Sequence, residues 1–183
     1  LNAHKQKQKI DPTNANFLIN ICFTFLFKKH GLKPVGYWTP IEGPPIKKRT
    51  FVYVLKHPSR YEAWKNWKSF IADREWQAVL DKPEFQRLLR SKPDSIFMTA
   101  NDYSAAAKNV IQEPAGIYEL RTYVANTGKL ASLNARFRDH TTKFFNRHGI
   151  KNVAYWTPFD QPESNTSLIC LVHHTTRQQA DLN

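Results

Sequence analysis

An eleven-residue stretch occurs twice in this chain, and it constrains the fold more than anything else in the sequence. The first copy is His30-Gly31-Leu32-Lys33-Pro34-Val35-Gly36-Tyr37-Trp38-Thr39-Pro40; the second is His148-Gly149-Ile150-Lys151-Asn152-Val153-Ala154-Tyr155-Trp156-Thr157-Pro158. Most positions are identical, and the offset of about 118 residues is a domain-sized internal period. Each copy follows an apolar, helix-periodic segment. Gly31 and Gly149 are therefore expected as left-handed residues that close a helix. The residues after them alternate, with Val153, Tyr155 and Thr157 on one face and Ala154 and Trp156 on the other, as in a strand. Proline cannot donate to a ladder, so the strands should stop at Pro40 and Pro158.

The elements around the copies can be read from their periods. Phe23, Leu26 and Phe27 begin the helical reading, which ends in the basic turn Lys28-Lys29-His30. Strands are expected at Val35–Thr39 and Thr50–Lys56 and over Ser95–Thr99, with a turn-rich loop at Pro40–Pro45 between the first two. Ser59, with Glu62 three residues on, has the spacing of a capping box. The helix after it carries Trp64, Trp67, Phe70 and Ile71 at helical spacing, and the stripe reads as core. Trp76, Val79 and Leu80 continue it, and Phe85, Leu88 and Leu89 form a further helical patch. Gly116–Ala125 is expected as a strand with Tyr118, Leu120, Thr122 and Val124 on one face and Glu119, Arg121 and Tyr123 on the other. Thr127 is the expected cap of a long helix with Leu130, Leu133, Phe137, Phe144 and Phe145 on its apolar side. Ser167–His173 then matches Phe51–Leu55 of the first half.

The expected organisation is an unmatched segment 1–22, a first repeat 23–103 without its opening strand, a linker 104–115, and a second repeat 116–183 without its last helix and strand. The fold class is α+β. The βαββαβ order within each repeat is the ferredoxin-like plan. Helices cover one face of such a sheet, and the other face must find a partner. Two repeats in one chain can supply each other as an intrachain pseudo-dimer forming an α/β barrel, incomplete here at both ends; a homo-oligomer is the other way to cover that face.

Composition removes several classes. The 183 residues carry a formal charge of +12, with Lys5, Lys7 and Lys9 near the start and Lys47-Lys48-Arg49 further on. The excess is spread along the chain and no nucleic-acid motif accompanies it, so no nucleic-acid partner is expected. Two cysteines, Cys22 and Cys170, make no disulfide framework. No run reaches the roughly 18 apolar residues that a membrane-spanning helix needs. His173 and His174 are adjacent in a strand and face opposite ways, and no His/Cys/Asp spacing resembles a metal site, so neither metal nor cofactor is expected. No Ser-His-Asp, Cys-His or phosphate-loop constellation appears in the sequence.

Ile117-Tyr118-Glu119-Leu120-Arg121-Thr122-Tyr123, the helix with Arg136-Phe137-Arg138-Asp139-His140, the two His-Gly…Tyr-Trp-Thr-Pro segments and Ala72-Asp73-Arg74-Glu75-Trp76-Gln77 together resemble the NIPSNAP family, in particular its bacterial two-repeat members. The resemblance covers about Phe23 to Asp181. It implies a dimeric α/β-barrel fold, with a cytoplasmic location for a bacterial protein and the mitochondrial matrix for a eukaryotic one. Animal relatives are linked to mitophagy and vesicle-related partners, and many bacterial members have no established activity. The departures at residues 1–22 and at the abrupt ending suggest a fragment or an imperfect gene model.

The implied barrel cavity makes Glu119, Arg121, Tyr123, Tyr155, Trp156, Tyr37 and Trp38 the candidate cavity or binding residues, with an internal Glu119–Arg121 ion pair as the plainer reading. Arg136, Arg138, Asp139 and His140 are the candidate partner surface, and His30 and His148 favour their helix dipoles. No catalytic residue is assigned. The leading expectation is a non-enzymatic module that binds a small ligand or a protein partner. The alternatives are an oxygenase-like enzyme acting on haem or an aromatic substrate in the cavity, and an anion or nucleic-acid binder.

Overall fold

The computed structural model describes residues 2–4, 25–41, 51–83, 92–104 and 116–181. Cys22, the Phe85–Leu89 patch, most of the Pro40–Pro45 loop, nearly all of the 104–115 linker and the basic runs near the start and at 47–49 lie outside them.

The repeated connector folds alike in both copies. Gly31 and Gly149 have φ of +71° and +73°. That left-handed turn lets the Leu32 N–H reach back to the Phe27 carbonyl (2.8 Å), and the Ile150 N–H to the Phe145 carbonyl (2.9 Å). Both are Schellman closures, which satisfy carbonyls the helix end would leave orphaned. The strands that follow are β2, Lys33–Pro40, and β6, Lys151–Pro158, and each ends on its proline.

The described residues fall into two units. One comprises Leu1–Gln6, Tyr37–Val52 and Ile96–Asn183; the other comprises Lys7–Gly36 and Tyr53–Ser95. The division cuts across the sequence repeats, because Tyr37–Pro40 and the strand β4, Met98–Ala100, group with the second half.

In the second unit the short helix α1, Phe27–Lys29, leads into β2, and β3, Val52–Lys56, is its neighbour. Ser59 caps the helix α2, Arg60–Ile71, by accepting the Glu62 N–H at 3.1 Å. The Glu62 carboxylate turns to Lys65 instead, so half of the expected capping box forms. The core is Leu26, Phe27, Leu32 and Phe70, with Leu55, Trp67 and Trp76 against it. The expected stripe on α2 is split. Ala63, Trp67 and Phe70 turn inward, whereas Trp64 and Ile71 are more than half exposed. One helix face holds one row of side chains per i, i+4, i+7 set, and the neighbouring row faces out. The helix α3, Arg74–Leu80, buries Val79 and is capped by Asp73.

In the other unit the strands β5, Ile117–Val124, and β7, Ser167–His174, form the centre of an antiparallel sheet. The order is β2-β1-β5-β7-β6-β4, where β1 is Asn2–His4. Part of the unmatched segment 1–22 thus takes a sheet position, between β2 and β5. The expected third strand of repeat one sits later than Ser95–Thr99, at β4. The described strands form an open order and do not close into a barrel. All of β7 is buried, so both of its faces are covered.

Helices cover one of those faces. α4, Leu130–Arg136, passes through a π-helical turn at Phe137–Thr141 into α5, Thr142–Arg147. Thr127 does not cap it; Lys129 stands at the N-cap and makes no side-chain bond. The π turn adds a residue to the helical period. A regular helix would place Phe144, seven residues after buried Phe137, on the core. Here Phe145 takes that place and Phe144 is 54% exposed. The core cluster is Phe137, Ile150, Tyr155, Leu168, Cys170 and Val172. After β7, the helix α6, Arg177–Asp181, begins where the first half's α2 begins at Arg60.

Candidate functional site

Register and alternation sort the expected cavity residues onto two faces. Glu119, Arg121 and Tyr123 pair across the ladder with Val172, Cys170 and Leu168, and Tyr155 pairs with Cys170. Val172, Cys170 and Leu168 belong to the helix-covered core, as does Tyr155. Glu119, Arg121, Tyr123 and Tyr155 therefore lie on the helix side of the sheet. Trp156 pairs with Ile169, on the opposite face, and Trp38 meets Tyr118 there with ring centroids 5.7 Å apart. The seven residues do not form one cavity. The reason is the period of two: neighbours such as Tyr155 and Trp156 must diverge. Tyr37 stacks on Phe51 at 5.8 Å.

On the helix side, Arg121 makes a bidentate pair with Glu119, with Nε donating to Oε1 and Nη2 to Oε2, each at 2.7 Å. Arg121 Nη1 donates weakly to the Tyr123 hydroxyl at 3.4 Å, and the guanidinium lies 5.7 Å from the Phe145 ring centroid. His174, fully buried, places Nε2 3.2 Å from Glu119 Oε2. Its Nδ1 has no hydrogen-bond partner among the described residues. Burial pushes the Glu119 carboxyl up, but the hydrogen bonds and charge of Arg121, with His174 behind them, outweigh it and hold the group below the usual glutamate value. The same Glu119 bonds raise the Arg121 guanidinium. Here the plainer of the two expectations fits the geometry: a closed, internally bonded ion pair.

Around it the groups are equally committed. Tyr155 donates a short hydrogen bond to Asn152 Oδ1, and Asn152 Nδ2 donates to the Thr142 carbonyl at 2.8 Å and to Asn146 Oδ1 at 2.7 Å. Burial raises the Tyr155 phenol, and it pushes the Cys170 thiol up to about 12, which keeps that cysteine an inert apolar residue. Among the described residues no three His, Cys, Asp or Glu side chains converge as metal ligands would.

The opposite face is aromatic. Trp38, Tyr118, Trp156, Ile169, Leu171 and His173 are all buried. Tyr118 and His173 are directly paired, with ring centroids 4.9 Å apart. His173 and His174 do face opposite ways. Gly116 is required here, since a Cβ would run into the His173 ring and the His174 carbonyl.

The expected partner surface lies at the π turn, and Arg136, Arg138, Asp139 and His140 are exposed. Arg138 is not a free cation. It pairs with Asp102 through Nε (2.9 Å) and Nη2 (2.8 Å) and lies over the Tyr103 ring. Asp102 is held below the usual carboxylate range by that arginine.

One constellation escapes the sequence. His30 Nδ1 is 2.8 Å from Ser69 Oγ, and His30 Nε2 is 2.7 Å from Asp73 Oδ2. A Ser-His-Asp set is thus present, although its members lie 39 and 43 residues apart and form no motif. Asp73 also accepts from the Glu75 and Trp76 N–H groups and from Lys29 Nζ at 2.8 Å. Lys29 first, then His30, hold its carboxyl well below the usual aspartate range. The only signal in the sequence is that His30 ends a helix and Asp73 starts one. His148, at the equivalent helix end, is exposed.

No helix among the described residues is long and apolar enough to cross a membrane. Compared with family models, with curated proteins and with solved structures, the chain matches none.

Proposed function

We propose that this chain is a NIPSNAP-like protein of tandem ferredoxin-like repeats, of the α/β-barrel kind, and that it works as a binding module rather than through chemistry on its sheet. Closure of the barrel would need strand contributions from residues outside those described. The observation that carries the reading is the pairing of β4, from the first repeat, with β6, from the second: Met98 opposite Pro158, Thr99 opposite Thr157 and Ala100 opposite Trp156. A strand of the first repeat thereby extends the sheet of the second, as the association of two repeats in a pseudo-dimer would lead one to expect. The ligand site in this reading lies on the aromatic face of Trp38, Tyr118, Trp156 and His173, which is buried, so a ligand there would be enclosed rather than laid on an outer surface. Flat aromatic and imidazole groups of that kind suit a planar apolar ligand with a polar tip. The Glu119–Arg121–His174 cluster is structural, because its members are spent on one another.

Titration with anilinonaphthalene sulfonate, read by fluorescence, tests the reading. Saturable binding weakened about tenfold or more by Trp156→Leu is expected, since such an anchor contributes about 1.4 kcal/mol or more. Unchanged binding in Trp156→Leu would remove the aromatic face from the proposal. A parallel haem titration read in the visible should give no spectral change; a shifted haem band would favour the oxygenase reading instead.

A further inference from the structure

We infer that Ser69 is an activated nucleophile that accepts an acyl group from esters with a good leaving group, with His30 as its general base and Asp73 as the residue that orients His30. Two distances carry this: Ser69 Oγ to His30 Nδ1 at 2.8 Å, and His30 Nε2 to Asp73 Oδ2 at 2.7 Å. Both fall within the reach that general-base catalysis needs.

The environment assigns the roles. Asp73 is an ionised acceptor, so the imidazole nitrogen facing it carries hydrogen and donates. In the neutral ring the other nitrogen, Nδ1, is then the lone pair, and the Ser69 O–H donates to it. The His30 and Asp73 side chains are only 10% and 6% exposed, which keeps the base fixed and its partner out of water. His30 is also held by its edge contact with the Phe70 ring at 6.1 Å. Ser69 is exposed on the outer side of α2, so an ester can reach it. The triad is recognised by roles and geometry, not by which ring nitrogen serves which partner.

The step balances without any further reactant. Ser69 Oγ attacks the ester carbonyl carbon while its proton passes to His30 Nδ1. The C–O bond to the leaving group then breaks, and the departing oxygen takes that proton. The serine ends as an ester and His30 is regenerated. The N–H groups at Ser69 lie within a helix and are used by its ladder, so they cannot stabilise the oxyanion. This confines the reaction to activated esters and makes it a slow acylation rather than a rapid turnover.

The test is incubation of the whole chain with p-nitrophenyl acetate, followed by peptide mass spectrometry. Alkaline hydroxylamine, which cleaves alkyl esters and spares amides, separates serine acetylation from reaction at the many lysines. Ser132, exposed on α4, is the internal control. Ser69 should be acetylated about 100-fold faster than Ser132, the scale of general-base assistance. Ser69→Ala should remove the adduct and leave the thermal midpoint in place. His30→Gln should bring Ser69 down to the Ser132 rate. Asp73→Asn, which keeps an N-cap residue, should lower the Ser69 rate without changing that of Ser132. Equal labelling of Ser69 and Ser132 in the unaltered protein, which requires no variant to fold, overturns the inference, as does Ser69 labelling that persists in His30→Gln.

Discussion

Arg121→Ala is the sharpest test of how the sheet is held. The substitution removes the two hydrogen bonds that Arg121 donates to the Glu119 carboxylate and leaves that carboxylate with His174 alone under a helix layer. The Arg121 and Glu119 side chains are 23% and 19% exposed, so the pair lies nearer the interior than the surface. Two charges about 4 Å apart in an effective dielectric of about 20 attract by roughly 4 kcal/mol before desolvation is subtracted. Removing one member of a buried pair costs about 3–5 kcal/mol, because the other is left uncompensated. Exposed pairs contribute about 0–1 kcal/mol. For this degree of burial the expected loss is about 2–4 kcal/mol. The double variant Glu119→Gln/Arg121→Met should lose less than Arg121→Ala alone, since it strands no charge. Urea unfolding gives the numbers, with the midpoint shifted and the slope unchanged. Lys65→Ala, which breaks the exposed pair with Glu62, is the surface control. If Arg121→Ala is no costlier than Lys65→Ala, or if the double variant is the weaker protein, the account of a desolvated pair fails.

The π turn makes an equally direct prediction. Phe137→Ala should cost about 3–5 kcal/mol through cavity formation, because Phe137 is buried among Tyr123, Phe145 and Tyr155. Phe144→Ala should stay within about 0.5 kcal/mol; the reverse ranking in denaturant melts would mean that the helix keeps a regular period. Acid stability should depend on Glu119. Its folded value lies below the ordinary 4.5, so it contributes stability above that value and loses it as pH falls through the depressed one. Thermal melts across the acid range should be less pH-dependent in Glu119→Gln, and parallel curves for the two proteins would contradict the assignment.

Local chemistry made much of the fold readable. Two glycines after basic helix ends, a short alternating run and a closing proline gave β2 and β6 to within a few residues. Ser59 gave the start of α2, and strand alternation placed Glu119, Arg121 and Tyr123 together. Three things were not readable. The stripe on α2 was too broad, because four aromatic or apolar residues at helical spacing exceed one face, and only tertiary packing decides that Phe70 enters and Trp64 does not. The π turn is invisible to a search for period 3.6, and it exchanges the fates of Phe144 and Phe145. Alternation separates Tyr155 from Trp156, but which of the two shares the Glu119–Arg121 face depends on the β6–β7 register, which no local pattern carries.

The same reasoning explains why the two copies of the connector differ in chemistry. The repeated residues encode a helix closure and a strand, both of which depend on backbone conformation and recur wherever the sequence does. The environment of the histidine at that closure depends on other segments. His30 meets Ser69 from the last turn of α2 and Asp73 from the cap of α3, so its ring is gripped at both nitrogens. His148 likewise follows a basic residue and precedes a glycine and an aliphatic residue, and it is exposed. A property that resides in the repeat should therefore be shared by both halves, and one that resides in the packing should not. Gly31→Ala and Gly149→Ala strain the same left-handed turn. The acylation inferred for Ser69 rests on a serine and an aspartate that are not part of the repeated stretch, so it belongs to the packing around His30 and not to the repeat.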